Sequence, residues 1–174
     1  MAFQKHSPKS ALSYLTIVSD MLRQHKHLHS PRDVTTTWGI DSLVDITDIP
    51  EFESVTSIEP LPKEFNERLF LFKESTKRHG VIEAAFHRNK LVHLRVTMHF
   101  SGWFPRMVAL KFFTKKLLPT VTNIIGSIGS RVDEPYPGFY WENYQGFYIV
   151  FTGLNKERGY ISTYLNHTDY LKYF

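Results

Sequence analysis

The sequence contains no cysteine. That excludes a disulfide framework, a thiolate nucleophile and any cysteine-ligated zinc or iron–sulfur centre. It also lacks a run of 18 apolar residues, so no transmembrane helix is expected. Lys5 and Lys9 stand before an apolar stretch, but Ser13, Thr16, Ser19 and Asp20 interrupt it, so no secretory core follows. A cytoplasmic protein without membrane contact is therefore expected. Phosphate loops, dinucleotide fingerprints and G-x-S-x-G are missing too; Gly126-Ser-Ile-Gly129 is too short to serve. The pI near 9.2 would suit nucleic acid. No helix-turn-helix, RNA-recognition signature or zinc finger accompanies it, so nucleic acid is not an expected partner.

What is present is a chain of 174 residues, 42% hydrophobic, enough for a buried core and too apolar for disorder. Its formal charge of +4 is unevenly spread. Residues 41–67 hold eight acids against one base, Lys63; that segment is −7 and the remainder +11. With Pro50, Pro60 and Pro62 it reads as a solvated acidic loop. Asp41, Asp45, Asp48, Glu51 and Glu53 are the residues that would steer a basic partner.

Residues 8–24 read as a helix, with Ser7 as cap, Pro8 in the first turn and an apolar stripe of Leu12, Leu15, Ile17, Val18 and Leu22. Ser30-Pro-Arg-Asp-Val-Thr-Thr-Thr-Trp-Gly39 reads as a second, with Ser30 capping, Asp33 favouring the positive end and Gly39 as a left-handed stop. Arg68–Ser75 reads as a strand, and 81–100 as a hairpin. A three-residue loop, Arg88-Asn89-Lys90, sets Phe86 against Val92, Ala84 against Leu94 and Ile82 against Val96, which keeps the apolar faces together. Glu83 then faces Arg95 and Ala85 faces His93 on a polar sheet face.

A helix over 104–118 follows, with Pro119 ending or kinking it and a further turn or two running toward Gly129. Aromatic strands are expected at 138–144, 146–152 and 159–166, and the tail 169–174 is aromatic enough to pack back on the core. The order is helix, helix, three strands, then helix, three strands. It argues a single α+β domain over 1–174, with halves 1–100 and 101–174, and an antiparallel sheet with helices on one face.

The segments SPRDVTTTWG (30–39) and VIEAAFHRNKLVHLRV (81–96) resemble the helix–helix–three-strand unit shared by the outer-membrane assembly lipoprotein E family and the β-lactamase inhibitor protein. The match extends over about residues 8–100, without the lipid-attachment cysteine or the usual proline after the glycine. It implies a non-enzymatic module that grips another protein with a concave sheet.

Three clusters invite a functional reading. His25, His27 and His29 have a spacing that imidazole–metal sites use, but a basic helix end accounts for them, and no metal or other cofactor is expected. His87, His93, Arg95 and His99 lie with Glu83 on the polar face; a cross-strand Glu83–Arg95 pair explains them better than acid–base chemistry. Tyr148, Tyr160 and Tyr164 fall on the less apolar face of the last strands, where tyrosine suits recognition. The reading is a non-enzymatic protein-binding module, of the kind found among bacterial inhibitors and immunity proteins. Tyr148, Tyr160, Tyr164 and Trp141 would be its anchors, beside His93 and Arg95. The alternative is a small-ligand binder or acid–base enzyme with an aromatic-lined pocket between sheet and helices, and a buried Glu83 or His93 would favour it.

Overall fold

In the computed structural model, residues 13–40, 62–75, 78–100, 111–133, 138–152 and 160–174 are described. The acidic steering residues Asp41, Asp45, Asp48, Glu51 and Glu53 lie outside them.

Helix α1 spans Tyr14–Gln24. The expected start at Ser7 and Pro8 lies outside the described residues. Within them the cap is Ser13, extended at φ −88° and ψ 146°, whose hydroxyl accepts the Thr16 N–H at 3.1 Å. The buried stripe is Tyr14, Ile17, Val18, Met21 and Leu22, while Leu15 is only partly covered. A 3-10 turn, His25–His27, continues it. Helix α2 spans Pro31–Trp38 and follows its sequence signals closely. Asp33 Oδ2 accepts the N–H groups of His29 (2.8 Å) and Ser30 (3.1 Å), and Gly39 closes the helix at φ 64°.

The sheet has seven antiparallel strands: β1 Asn66–Ser75, β2 Arg78–His87, β3 Lys90–Phe100, β4 Ser130–Val132, β5 Gly138–Tyr144, β6 Phe147–Thr152 and β7 Tyr160–His167. Their order is β1-β2-β3-β7-β6-β5-β4. Two meanders therefore meet at the β3–β7 seam. The protein is α+β with an antiparallel sheet, and the second meander carries a short fourth strand, β4, that the sequence did not signal.

The β2–β3 register runs Ile82↔Val96, Glu83↔Arg95, Ala84↔Leu94 and Ala85↔His93, as the apolar alternation predicts. The loop itself is different. Phe86 pairs with Leu91 and His87 with Lys90, so the turn has two residues, Arg88 and Asn89, both left-handed at φ 50° and 59°. A bulge between Ala85 and Phe86 absorbs Val92. The tight turn matches the strand twist, and the bulge restores the facing register that a two-residue turn alone would break.

Pro119 does not end its helix. A π-helical turn, Phe113–Leu117, leads directly into α3, Leu118–Ile125, with Pro119 in its first turn. The Leu118 N–H reaches back to the Phe113 carbonyl, and the Thr120 hydroxyl donates to the Lys116 carbonyl at 2.7 Å. The wider turn accommodates a residue with no N–H to offer. Gly126, at φ 85°, stops the helix three residues before the expected Gly129.

One core cluster joins α1, α2, Phe113, Leu117 and Val121 to the apolar side of the sheet, where Phe70, Ile82, Leu94, Val96, Ile149, Phe151 and Ile161 are buried. Tyr14 anchors α1 across the central seam: its hydroxyl donates to the Val96 carbonyl at 3.2 Å and lies 2.7 Å from Thr163 Oγ1. No described helix is long and apolar enough to cross a membrane.

Candidate functional site

The other side of the sheet carries the polar alternates of the same strands. The ladder sets His93 against Asn166 and Arg95 against Tyr164 across the β3–β7 seam. It then sets Asn166 against Tyr148 and Tyr164 against Val150 across β7–β6. Directly opposed residues share a face, so two cross-strand rows form a floor without any loop being needed to shape it.

Much of this floor is buried. Glu83, His93, Arg95, Thr97, Ser162 and Asn166 are all at or below 6% exposure. His93 Nδ1 donates to Asn166 Oδ1 at 2.5 Å, and its Nε2 lies 3.5 Å from Glu83 Oε2. Arg95 Nε donates to Thr97 Oγ1 at 3.1 Å and lies 3.7 Å from the same Glu83 oxygen. Thr97 Oγ1 meets Ser162 Oγ at 3.0 Å. Glu83 Oε2 is thus held at ion-pair distances, without an aligned hydrogen bond among the described residues. Burial pushes the Glu83 carboxyl up, but the facing His93 and Arg95 outweigh it and hold the carboxyl below its usual range.

Glu67 stands beside this pair on β1. Burial of its carboxyl, then its hydrogen bond to Glu83 and the Glu83 charge, raise its pKa to about 6. Between the ordinary carboxylate value and about 6 the folded chain holds the proton that the unfolded chain has lost. Folding stability from this group therefore falls as pH rises through that window. Glu67→Gln is expected to be more stable than the parent at pH 7–8, with the difference vanishing below about pH 4.5. The residue is exposed in part, so solvent screening keeps the gain below about 1 kcal/mol. Urea denaturation at a series of pH values checks both the sign and the window.

Over the floor lies a 3-10 turn, Thr168–Tyr173. Its start is tied by the Asp169 N–H donating to His167 Nδ1 (3.2 Å) and by the Thr168 N–H donating to the Gly146 carbonyl (3.0 Å). Tyr170 OH meets His87 Nδ1 at 2.9 Å, and its ring packs on Phe65. Phe174 stacks on His93, with ring centres 4.2 Å apart and planes 3° from parallel. The tail thus packs on the polar face, whereas its aromatic character suggested the core. Sequestering Phe174 and the Tyr170 ring against histidines of that face accounts for the choice.

Between turn and floor is a partly open cavity of about 210 Å³, lined by His93, Arg95, Tyr148, Tyr164, Asn166, Leu171 and Phe174. Four of the six anchors read from sequence (Tyr148, Tyr164, His93 and Arg95) come together there. Trp141 does not. It pairs with Ile149 on the core side, stacks edge-on to Phe151 and donates from Nε1 to the Ser127 carbonyl at 3.1 Å. Tyr160 pairs with His99 in the ladder. Asn166 was legible from the alternation that places Tyr164; Leu171 and Phe174 had no sequence signal beyond an aromatic tail.

Burial pushes the Tyr164 hydroxyl up to about 12 and also raises Tyr148, whose other causes are Tyr140 and Glu142. Both are neutral phenols at physiological pH. Neither hydroxyl makes a hydrogen bond to another described residue.

The three histidines of the 25–29 segment point apart. His25 is buried against Phe147 and Tyr144, and its Nδ1 lies 3.1 Å from the Leu22 carbonyl. Burial lowers its pKa, so it caps α1 as a neutral imidazole. His27 is exposed, and His29 Nδ1 faces the Asn89 carbonyl at 3.3 Å. No group of three metal-ligating side chains occurs among the described residues.

No protein-family model matches this chain, and no curated protein or solved structure compared with it is significantly similar.

Proposed function

We propose that this chain is a non-catalytic binding protein that holds one small, single-ring molecule on the polar face of its sheet, beneath Thr168–Phe174. The carrying observation is the cavity itself: about 210 Å³, walled by Tyr148, Tyr164, Leu171 and Phe174, with a buried Arg95 and His93 in its lining. A cavity of about 150 Å³ is enough for benzene, so this volume suits one substituted ring and not a nucleotide or an acyl chain.

Two features favour this over the expected protein-recognition surface. His93 and Arg95 are at most 6% exposed, so a flat partner cannot reach them, and the 168–174 turn stands over the same face. Acid–base catalysis is disfavoured by the hydrogen bonding. Both nitrogens of His93 face protein oxygens and Phe174 stacks on its ring, so no nitrogen lone pair is left for proton transfer in the cavity. A cytoplasmic location remains part of this reading.

Saturation-transfer NMR with benzyl alcohol, benzamide and benzoate tests it. At least one ring is expected to bind the full chain. Leu171 is 38% exposed at the rim, so Leu171→Trp should fill the cavity without unfolding the protein and weaken binding tenfold or more. No binding by any ring, or unchanged binding in the folded tryptophan variant, overturns the proposal.

A further inference from the structure

The two ends of the cavity differ in chemistry. Leu171 and Phe174, from the turn, give an apolar side with a stacked ring. The floor gives Arg95, Tyr148 and Tyr164, which lie in adjacent cross-strand rows: Arg95 opposite Tyr164, and Tyr148 opposite Asn166. Both phenols are held neutral, so each has a proton to donate. Neither proton is taken by another described residue. A phenol half-buried beside a guanidinium is a poor surface for water alone and a good one for an oxyanion.

From this juxtaposition we infer that the ligand is an aromatic monocarboxylate. Its ring lies against Phe174 and Leu171, and its carboxylate faces the Tyr148 and Tyr164 hydroxyls beside Arg95. The inference rests on the single-ring pocket proposed above and adds the sign and shape of the polar end. The neighbouring charges narrow the class further. Arg95 opposes a cationic ring, and Glu83, 3.7 Å from Arg95 Nε, opposes a doubly charged phosphate more than a singly charged carboxylate. Arg95 need not be free for this; its Nε is already shared by Thr97 and Glu83. A planar carboxylate can take two donors side by side, which two tyrosines on neighbouring strands supply.

Benzoate and benzamide have nearly the same shape and differ in charge, so titration calorimetry of the full chain with the two compounds isolates the polar end. Benzoate is expected to bind at least tenfold more tightly. The pair Tyr148→Phe/Tyr164→Phe keeps both ring walls and should cut benzoate affinity about tenfold or more, shrinking the benzoate-to-benzamide ratio toward one. The melting temperature of the variant shows that the fold is kept. Sodium acetate, the anion without the ring, is expected to bind no tighter than millimolar.

Equal affinity for benzoate and benzamide, or a ratio unchanged by the double substitution in a folded variant, overturns the carboxylate inference while leaving a ring-binding pocket. Failure of every ring compound overturns the pocket itself and the inference with it, so the two failures are distinguishable.

Discussion

Glu83→Ala is expected to destabilise the protein by about 3–5 kcal/mol, the usual cost of removing one member of a buried ion pair. The magnitude follows from what would be left behind. Glu83 sits on β2 opposite Arg95, both at 6% exposure, with His93 on its other side. Without the carboxylate, the buried Arg95 guanidinium would lose this ion pair while its Nε keeps the hydrogen bond to Thr97 Oγ1. Glu67 is close enough to share a hydrogen bond with Glu83 and would offset part of the loss. Replacing both partners, Glu83→Leu with Arg95→Met, should cost less than Glu83→Ala alone, because the buried charge is removed together with its ion pair.

The pH dependence has a definite sign. The folded-state pKa of Glu83 is lowered, so its contribution is present above the unfolded carboxyl value and is lost as pH falls through the folded one. The gap between parent and Glu83→Ala should therefore close on acidification. Urea denaturation of the four-member cycle at pH 7, repeated at acid pH, reads all of this. Additive costs, or a single-variant loss below 1 kcal/mol, would show that Glu83 and Arg95 are not an interdependent pair.

The position of that pair was legible in the chain because it depends only on alternation. Ile82, Ala84 and Phe86 against Val92, Leu94, Val96 and Met98 leave one register that keeps apolar with apolar, and that register puts Glu83 on Arg95 and Ala85 on His93. The turn was less legible, since a three-residue loop and a two-residue turn with a bulge give the same pairing beyond Ala85. Local sequence cannot choose between them when Arg88 and Asn89 both accept a left-handed backbone.

Helix ends divide in the same way. Ser30, Pro31, Asp33 and Gly39 signal at short range and hold. Pro119 does not act as a helix end, because the relief comes from a π turn upstream, Phe113–Leu117, that no residue announces.

The candidate site was half legible for a related reason. Strand alternation brings Tyr148, Tyr164, His93 and Arg95 to one face. What turns a face into a cavity is the 168–174 turn, whose docking rests on contacts from His87, Phe65 and His93, between 81 and 105 residues away in sequence. Trp141 shows the same rule from the other side. Its pairing with Ile149 puts it in the core, which a register for β5–β6 would have revealed, but the irregularity between Trp141 and Tyr144 hides that register in the sequence.

Gly80→Ala should be the second costly change, by about 2–3 kcal/mol. Its cause is steric and lies in three adjacent strands. Gly80 pairs with Phe72 on β1 and Met98 on β3. A Cβ built there would come 2.2 Å from Phe72 Cζ, 2.5 Å from Phe72 Cε1 and 2.6 Å from the Thr97 carbonyl oxygen. The Phe72 ring lies across the glycine and is 6% exposed, so it covers the backbone where a side chain would otherwise stand. In an open strand, alanine would be favoured over glycine by about 0.5–1 kcal/mol; here that gain is set against a displaced buried ring and a displaced carbonyl.

The ring can yield and the carbonyl cannot without disturbing the β2–β3 ladder, which gives the test its second arm. Adding Phe72→Leu to Gly80→Ala should recover part of the loss, so that the double variant is more stable than the sum of the single effects predicts. The Thr97 carbonyl should keep the recovery incomplete. In a chain of 174 residues the single loss corresponds to a fall in Tm of about 4–12 °C. A Gly80→Ala protein melting with the parent would mean that the β1–β2 edge relaxes freely. Strict additivity in the double would place the cost in the backbone and not in the Phe72 ring.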